Sequence, residues 1–264
     1  ATAPQLGLHR CQTSAPVGLV TRADKAPYSD VRVRRAISMA IDRQALIHTV
    51  YLGMAEPVYT SVLPFFNESY MPFDQLPTET RRYLEYRPEE AKQLLAQAGY
   101  ATGFKATVST VERFPDQRQM AEAIVAMLAN VGIQARLEVL DYTRMQQVVY
   151  EGGMMDNMAV TYLGTATEIH GRVYDNFVPG PRNRGHVDDP ELVRLSQEQM
   201  VTVDAQKRRD LIRRHQLRQL ETTYYVMLPS VQEVMVTSPE LKGLYYKPFE
   251  RETGDVFYRT WLAK

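Results

Sequence analysis

An α/β sandwich is the fold class that this sequence predicts, on three observations. Residues 104–140 read as strand, helix and strand with connections of a few residues, the pattern of a βαβ unit with parallel strands and a right-handed crossover. The alternation continues through a predicted helix over 142–151 and a predicted strand over 157–163. The composition, 44% hydrophobic and 23% charged over 264 residues, sits near the globular average, so a chain of this length supplies a sizeable core.

The elements follow in order. The first 29 residues are short apolar pieces interrupted by Pro4, Pro16 and Pro27, with a strand at Val17-Gly18-Leu19-Val20 and a loop at Lys25-Ala26-Pro27-Tyr28. Ser29 or Asp30 is placed to cap a helix running to about Val50, with Ala36, Ile37, Ala40, Ile41 and Ile47 as its buried stripe. Residues 53–87, with Pro57, Pro64, Pro72 and Pro77 and many aromatics, read as a long irregular loop that either carries function or packs as a cover. Pro88 suits the first turn of a helix, Glu89 and Glu90 suit its positive end, and Gly99 ends it. A strand over 104–110, an amphipathic helix from about Asp116 to Val131 stopped by Gly132, and a strand over 133–140 make the βαβ unit. After a loop over 164–187 rich in Gly, Pro, Arg and Asn, Asp188 or Asp189 caps a helix with Pro190 in its first turn. A second helix spans about Asp204 to Glu221, and strands over 224–228 and 231–236 are separated by Pro229. The tail after Pro239 mixes short apolar pieces with charges.

Charge argues against nucleic acid as a partner. Lys+Arg and Asp+Glu are each 31, so no global field attracts a polyanion. The basic run Lys207-Arg208-Arg209, with Arg213, Arg214 and Arg218, interleaves Leu211, Ile212, Leu217 and Leu220 at helical spacing and reads as a solvated face. Cys11 is alone, and the five His (9, 48, 170, 186, 215) lack paired ligand spacing, so neither a disulfide nor a metal site is expected. No cofactor fingerprint or catalytic motif of the usual kinds is present. The apolar stretch 123–128 is far shorter than the ~20 residues that span a membrane. A start at Ala1 without Met or an export signal leads us to expect further sequence upstream.

The stretch with the most chemistry is Gly164-Thr165-Ala166-Thr167-Glu168-Ile169-His170-Gly171, with Arg172, Tyr174 and Asn176 behind it. It comes after the predicted strand 157–163, and the C-terminal ends of strands are where open α/β sheets bind ligands. Hydroxyls and a carboxylate fix orientation there while rings supply apolar walls. The competing reading of the same residues is a plain surface loop.

A family resemblance decides between readings. Ser29-Asp30-Val31-Arg32-Val33-Arg34-Arg35-Ala36-Ile37-Ser38-Met39-Ala40-Ile41-Asp42-Arg43 closely resembles the signature of the family 5 extracellular solute-binding proteins, the peptide- and nickel-type receptors of ABC importers. Leu63-Pro64, residues 86–100 (with Arg87 where an acidic cap is usual), 121–133 and 137–141 resemble the segments that come next in family order. The resemblance implies a periplasmic-binding-protein-like lobe, type II and cluster C-like, a mixed sheet flanked by helices. It implies an incoming hinge strand and linker over 1–29, a C-terminal ligand-binding lobe over 30–230, and a return segment over 231–264 toward an N-terminal lobe missing from this chain. It further implies capture, without catalysis or cofactor, of a peptide or peptide-like solute for ABC permease subunits. The setting implied is the bacterial periplasm or the outer face of the cytoplasmic membrane.

One departure bears on the solute. Many peptide receptors of this family carry a Trp-containing pair after the strand equivalent to 157–163, then an Asp that captures a peptide's amino group. Here Leu163-Gly164 stands at the pair and Ala166 or Thr167 at the Asp, while Glu168 is displaced by one or two residues. A blocked peptide, an opine-like compound, a sugar conjugate or a metal chelate therefore joins the free peptide as a candidate solute. The expected cleft wall is Tyr162, Leu163, Gly164, Thr165, Thr167, Glu168, His170 and Tyr174, with Leu63 and the 59–66 loop secondary. Two alternatives are a ligand-sensing domain of a transcriptional regulator and an α/β hydrolase-type enzyme. The first requires a helix-turn-helix upstream, and the second requires His170 and Glu168 for turnover.

Overall fold

The computed structural model describes residues 6–12, 15–150, 158–164, 166, 168–243 and 260–262. After β1 (Gly7–Gln12) the chain enters β2 (Val17–Thr21), buried along its whole length. The remaining strands are β3 (Ala55–Glu56), β4 (Phe104–Val111), β5 (Ile133–Leu140), β6 (Met158–Tyr162), β7 (Tyr225–Met227), β8 (Ser230–Thr237), β9 (Leu241–Lys242) and β10 (Trp261–Leu262). Among the described residues the main sheet has the order β5-β4-β6-β2-β7. β4 runs parallel to β5 and β6, whereas β2 is antiparallel to both β6 and β7. The sheet is therefore mixed, and residues 17–21, expected within an incoming segment, form one of its inner strands. The register pairs Val17 with Tyr162 and Gly18 with Met227, so β4, β5, β6 and β7 all end at the edge where β2 begins.

Period-two alternation sends side chains to two cores. Leu19, Val108, Val160 and Val226 join Val33, Ile37, Ile41, Leu46, Leu95, Met120, Ile124 and Leu128 in one. Val20, Val111, Ala159 and Met227 meet Val58, Leu63, Met145, Val149, Phe177 and Leu192 in the other. The first layer of helices comprises α1 (Val31–Met39), α2 (Arg43–Tyr51), α4 (Pro88–Gln97) and α5 (Pro115–Ala129); a single turn, α3 (Thr78–Arg81), precedes α4. The other side carries α6 (Tyr142–Met145), α7 (Ile169–Tyr174), α8 (Pro190–Val201) and α9 (Ala205–Thr222). Gly103, with φ 74, fixes how β4 starts beside β5: a Cβ there would lie 1.8 Å from the Gly132 carbonyl oxygen.

The helix expected from residue 30 to 50 is two helices. Asp30 caps α1 by accepting from Arg32 N, and Asp42, in extended conformation, caps α2 by accepting from Ala45 N at 2.9 Å. Arg43 fixes the break. Its buried guanidinium donates to the carbonyl oxygens of Met227 (2.9 Å), Leu84 (2.9 Å) and Ser38 (3.2 Å), and to Ser38 Oγ (3.0 Å). The 53–87 loop packs as a cover, with 3-10 turns at Pro64–Ser69 and Phe73–Gln75 and with Val58, Val62, Leu63 and Leu76 buried.

α9 buries more polar groups than its pattern suggests. Leu211, Ile212 and Leu220 face inward as expected, but His215, Gln216 and Gln219 accompany them and Leu217 is half-buried. Gln219 Nε2 donates to His215 Nδ1 (2.8 Å), leaving His215 Nε2 3.1 Å from Ser196 Oγ, whose hydroxyl donates to the Val173 carbonyl. Burial lowers the His215 pKa to about 3, so the ring is neutral.

Two strands leave the main sheet at the edge where β4, β5 and β6 end. β1 precedes β2, β8 comes after β7 through Leu228 and Pro229, and the two pair antiparallel over six residues, with β3 on the far side of β8. One face of this ribbon exposes Leu6, Leu8, Val234 and Val236.

Candidate functional site

The site is built from the residues just beyond the C-terminal ends of three parallel strands. Past β4, Phe114 stands in extended conformation before Pro115 opens α5. Past β5, Asp141 caps α6 by accepting from Arg144 N (2.9 Å), which places Tyr142 and Gln146 at the same edge. At the end of β6, Tyr162 and Leu163 lead into Gly164, whose φ of 83 suits a residue without a Cβ. These residues, with Asp175, Asn176, Arg182 and Arg184 from the chain that returns past α7, line a cavity of about 440 Å3. That volume and its position beyond the strand ends fit a small-molecule site in an open α/β sheet.

Aromatic rings form one wall. The Tyr162 ring meets Phe114 edge-on, centroids 5.1 Å apart, and the Arg113 guanidinium lies 5.7 Å from the Phe114 ring and 5.2 Å from that of Tyr142. The opposite wall is polar and stiffened by side chains binding the backbone of the strand end. Three successive carbonyl oxygens are held: Tyr162 O by Arg184 Nη1 (2.5 Å), Leu163 O by Asn176 Nδ2 (3.1 Å) and Gly164 O by Arg172 Nη1 (2.9 Å). Burial lowers the Arg172 pKa to about 10, which leaves it charged at neutral pH. Among the described residues the lining carboxylate is Asp175, which accepts from Arg182 at 2.8 Å. Asn176 is 4% exposed, and among the described residues its Oδ1 has no hydrogen-bond partner.

The sequence-based expectations fall into three groups. Tyr162, Leu163 and Gly164 line the cavity. The Leu163 side chain is core, packed over Gly18, where a Cβ would come within 2.8 Å of its Cδ1. Thr165 and Thr167 lie outside the described residues. Glu168, His170 and Tyr174 do not line the cavity, because the stretch read as loop forms α7. Glu168 sits exposed at the head of that helix without a capping bond, and His170 Nδ1 meets Gln199 Nε2 at 2.8 Å while its ring packs on Tyr174. The secondary candidate Leu63 is buried in the core, and Tyr59 packs against Phe73. Sequence reading missed Phe114, Tyr142, Gln146, Asp175, Arg182 and Arg184. Their signal was available: the strand-end rule, applied to 104–111 and 133–140 as well as to β6, points to 112–114 and 141–146.

Two other features fail as sites on physical grounds. A hollow of about 520 Å3 between the Phe66–Ser69 turn and the start of α9 is larger, but no strand end lines it. The Ser196–His215 contact has the elements of a nucleophile and base, yet both residues are buried and the third partner is an amide. Among the described residues no cluster of three or more His, Cys, Asp or Glu is placed to hold a metal ion, and no helix is long and apolar enough to cross a membrane.

Comparison with known proteins agrees with this architecture. Residues 3–178 match the family described as bacterial extracellular solute-binding proteins, family 5 middle. The chain belongs to this family. Heme-binding protein A of Haemophilus influenzae is 25% identical over 255 residues, covering 89% of this chain and 42% of that protein. The glutathione-binding protein GsiB of Salmonella choleraesuis is 30% identical over 142 residues, covering 52% of this chain and 25% of that protein. The solved structure of HbpA2 from Haemophilus parasuis superposes with a TM-score of 0.87 at 22% identity, over 100% of this chain and 51% of that one. The fold is thus that of a periplasmic binding protein, an α/β lobe with a mixed sheet flanked by helices. The chain spans about half the length, or less, of these family 5 relatives.

Proposed function

We propose that this chain is the C-terminal solute-binding lobe of an ABC importer's receptor. It captures a peptide or peptide-like solute in the periplasm, or at the outer face of the cytoplasmic membrane, and presents it to the permease. The observation that carries this reading is the cavity at the ends of three parallel strands, in a chain of the family 5 solute-binding proteins. Tyr162 and Gly164, with Phe114, Tyr142, Asn176 and Arg184, form this lobe's part of the binding surface, and Thr165 and Thr167 come directly after it in sequence. Its named relatives bind heme and glutathione.

A second lobe supplies the opposite wall in this reading. The main sheet lies in one body, and β1 and β8 leave it side by side at the edge where the cavity lies. Residues 1–15 then carry the chain in from an upstream lobe, and residues from about 230 onward return toward it. The apolar ribbon face of Leu6, Leu8, Val234 and Val236 is its docking surface. The test is calorimetry with glutathione and a panel of short peptides, on this chain alone and on the protein with its upstream half. A solute bound by the two-lobed protein is expected to bind this chain about a thousandfold more weakly, a loss of about 4 kcal/mol of contact. Equal affinity for both forms overturns the two-lobed reading.

A further inference from the structure

We infer that Asn176 is a specificity-determining residue of this lobe, whose side-chain oxygen accepts an amide-type N–H of the solute. The inference deepens the receptor reading and rests on it. Asn176 lines the strand-end cavity and is itself 4% exposed. The residue is held at two points. Its Nδ2 donates to the Leu163 carbonyl oxygen at 3.1 Å, and its backbone carbonyl accepts from the Tyr225 hydroxyl at 2.8 Å. The first bond fixes which way the side-chain amide faces, because turning it over would set Oδ1 against the Leu163 oxygen, two acceptors without a proton between them. Oδ1 therefore stays on the other side of the amide, and among the described residues no donor meets it.

A buried carbonyl oxygen without a donor destabilises the empty lobe, and an arriving donor removes that penalty. Nearby donors are directed elsewhere. The Tyr225 hydroxyl donates to the Asn176 backbone, Arg182 donates to Asp175, and Arg172 Nη1 donates to the Gly164 carbonyl. A neutral amide N–H suits Oδ1 better than an ammonium does, since an ammonium brings three donors and a charge that burial penalises. The facing wall is aromatic, with Tyr162 and Phe114 meeting edge-on at 5.1 Å. A solute that places an N–H on Asn176 thus lays an adjoining apolar portion against those rings. Such a site discriminates against an analogue with oxygen in place of the N–H, because two acceptors then face each other in a wall that excludes water. The solute class is an amide-bearing molecule, a peptide bond included, with one N–H directed at the end of β6.

The test uses the full two-lobed protein and calorimetry with N-acetyl-alanyl-tyrosyl-alanine methyl ester, beside analogues in which each N–H in turn is replaced by an ester oxygen. The replacement keeps the shape and removes the donor. In the wild type one replacement should weaken binding by about tenfold or more. Asn176→Leu should weaken the parent probe by about tenfold, and the penalty for that same replacement should shrink to within about threefold. Asn176→Asp loses the same donor to the Leu163 carbonyl but keeps an acceptor oxygen, so it should retain the penalty, and it decides the matter if the Leu variant fails to fold. A wild type indifferent to every replacement, as a resident water on Oδ1 would make it, overturns the inference and leaves the receptor reading standing. So does a penalty that persists in Asn176→Leu or vanishes in Asn176→Asp. Failure of the parent probe and all its analogues to bind the wild type contradicts the peptide-like receptor reading itself, and the inference with it.

Discussion

Arg34 and Arg43 sit in the stretch that most resembles the family signature, and neither touches the cavity. Arg34 donates to the carbonyl oxygens of Thr222 (2.9 Å), Tyr28 (2.7 Å) and Ser29 (3.1 Å), with its guanidinium 4.5 Å from the Tyr224 ring. Arg43 does the same for Met227, Leu84 and Ser38. Burial lowers both pKa values to about 10, so both remain charged at neutral pH; carbonyl oxygens accept from each, and the Asp30 and Asp189 carboxylates also favour the charge on Arg34. The signature was legible as a sequence, and its meaning is architectural: two cations tie α1 and α2 to the end of α9 and to β7. Arg43→Ala should therefore cost about 3 kcal/mol or more in urea unfolding, because three buried carbonyls lose their donor. A loss below 1 kcal/mol would refute that role. His215 supplies a pH dependence. Its folded pKa of about 3 lies below an unfolded value near 6.5, so its contribution is complete above pH 6.5 and is lost as pH falls toward 3. Between pH 7 and pH 5 this group alone should remove about 2 kcal/mol of stability, and His215→Gln should flatten the slope by that amount.

Elements show where sequence reading succeeded and where it failed. Prolines and a capping Asp marked the starts of α4 and α8, and amphipathic spacing placed α5 and α9 to within a residue or two; the structure starts these helices at Pro or after an Asp whose side chain binds the first turn. Asp189 at the head of α8 does more than cap. Its Oδ1 accepts from Glu191 N (3.0 Å) and Leu192 N (3.2 Å), while its Oδ2 meets Arg218 at 2.9 Å and the Tyr224 hydroxyl at 3.3 Å. Burial pulls this carboxyl upward in pKa, but Arg218 and the backbone N–H groups outweigh it and hold it below the usual range. Asp189→Ala should cost about 2–3 kcal/mol in denaturant titration, against about 1 for an ordinary cap. The failures are the six-residue α7, which has no capping bond and comes after a glycine-containing stretch, and β1, which pairs with β8 across more than 200 residues, from Gly7 with Thr237 to Gln12 with Gln232, and leaves no local trace. Missing α7 displaced three of the eight expected site residues. Glu168, His170 and Tyr174 lie close to Gly164 in sequence, but a helix carries them away from the cavity that Tyr162 and Gly164 line. Asp175 and Arg184 return to it only through the tertiary path of the loop.

At the scale of the whole molecule, the proposed function makes this chain one lobe of a two-lobed clamp. The sheet, its two cores and the cavity are self-contained, whereas the β1–β8 ribbon exposes Leu8 at 56% and Val236 at 57% on a face that no described residue covers. L8S with V236S should change the stability of this chain by less than about 0.5 kcal/mol per site, as solvent-facing substitutions do. In the two-lobed protein that we propose, the same pair should lower the unfolding midpoint by several degrees, because that reading places the face in the lobe interface; an unchanged midpoint would exclude it from there. The measurement that tests the central claim most directly is native mass spectrometry of the two-lobed protein after incubation with a peptide-rich bacterial extract, wild type beside Y162A/R184Q. The receptor account predicts a small molecule bound to the wild type, released on unfolding, and reduced at least tenfold in the variant. A molecule retained equally by both, or none retained by the wild type, would contradict solute capture at the ends of these strands.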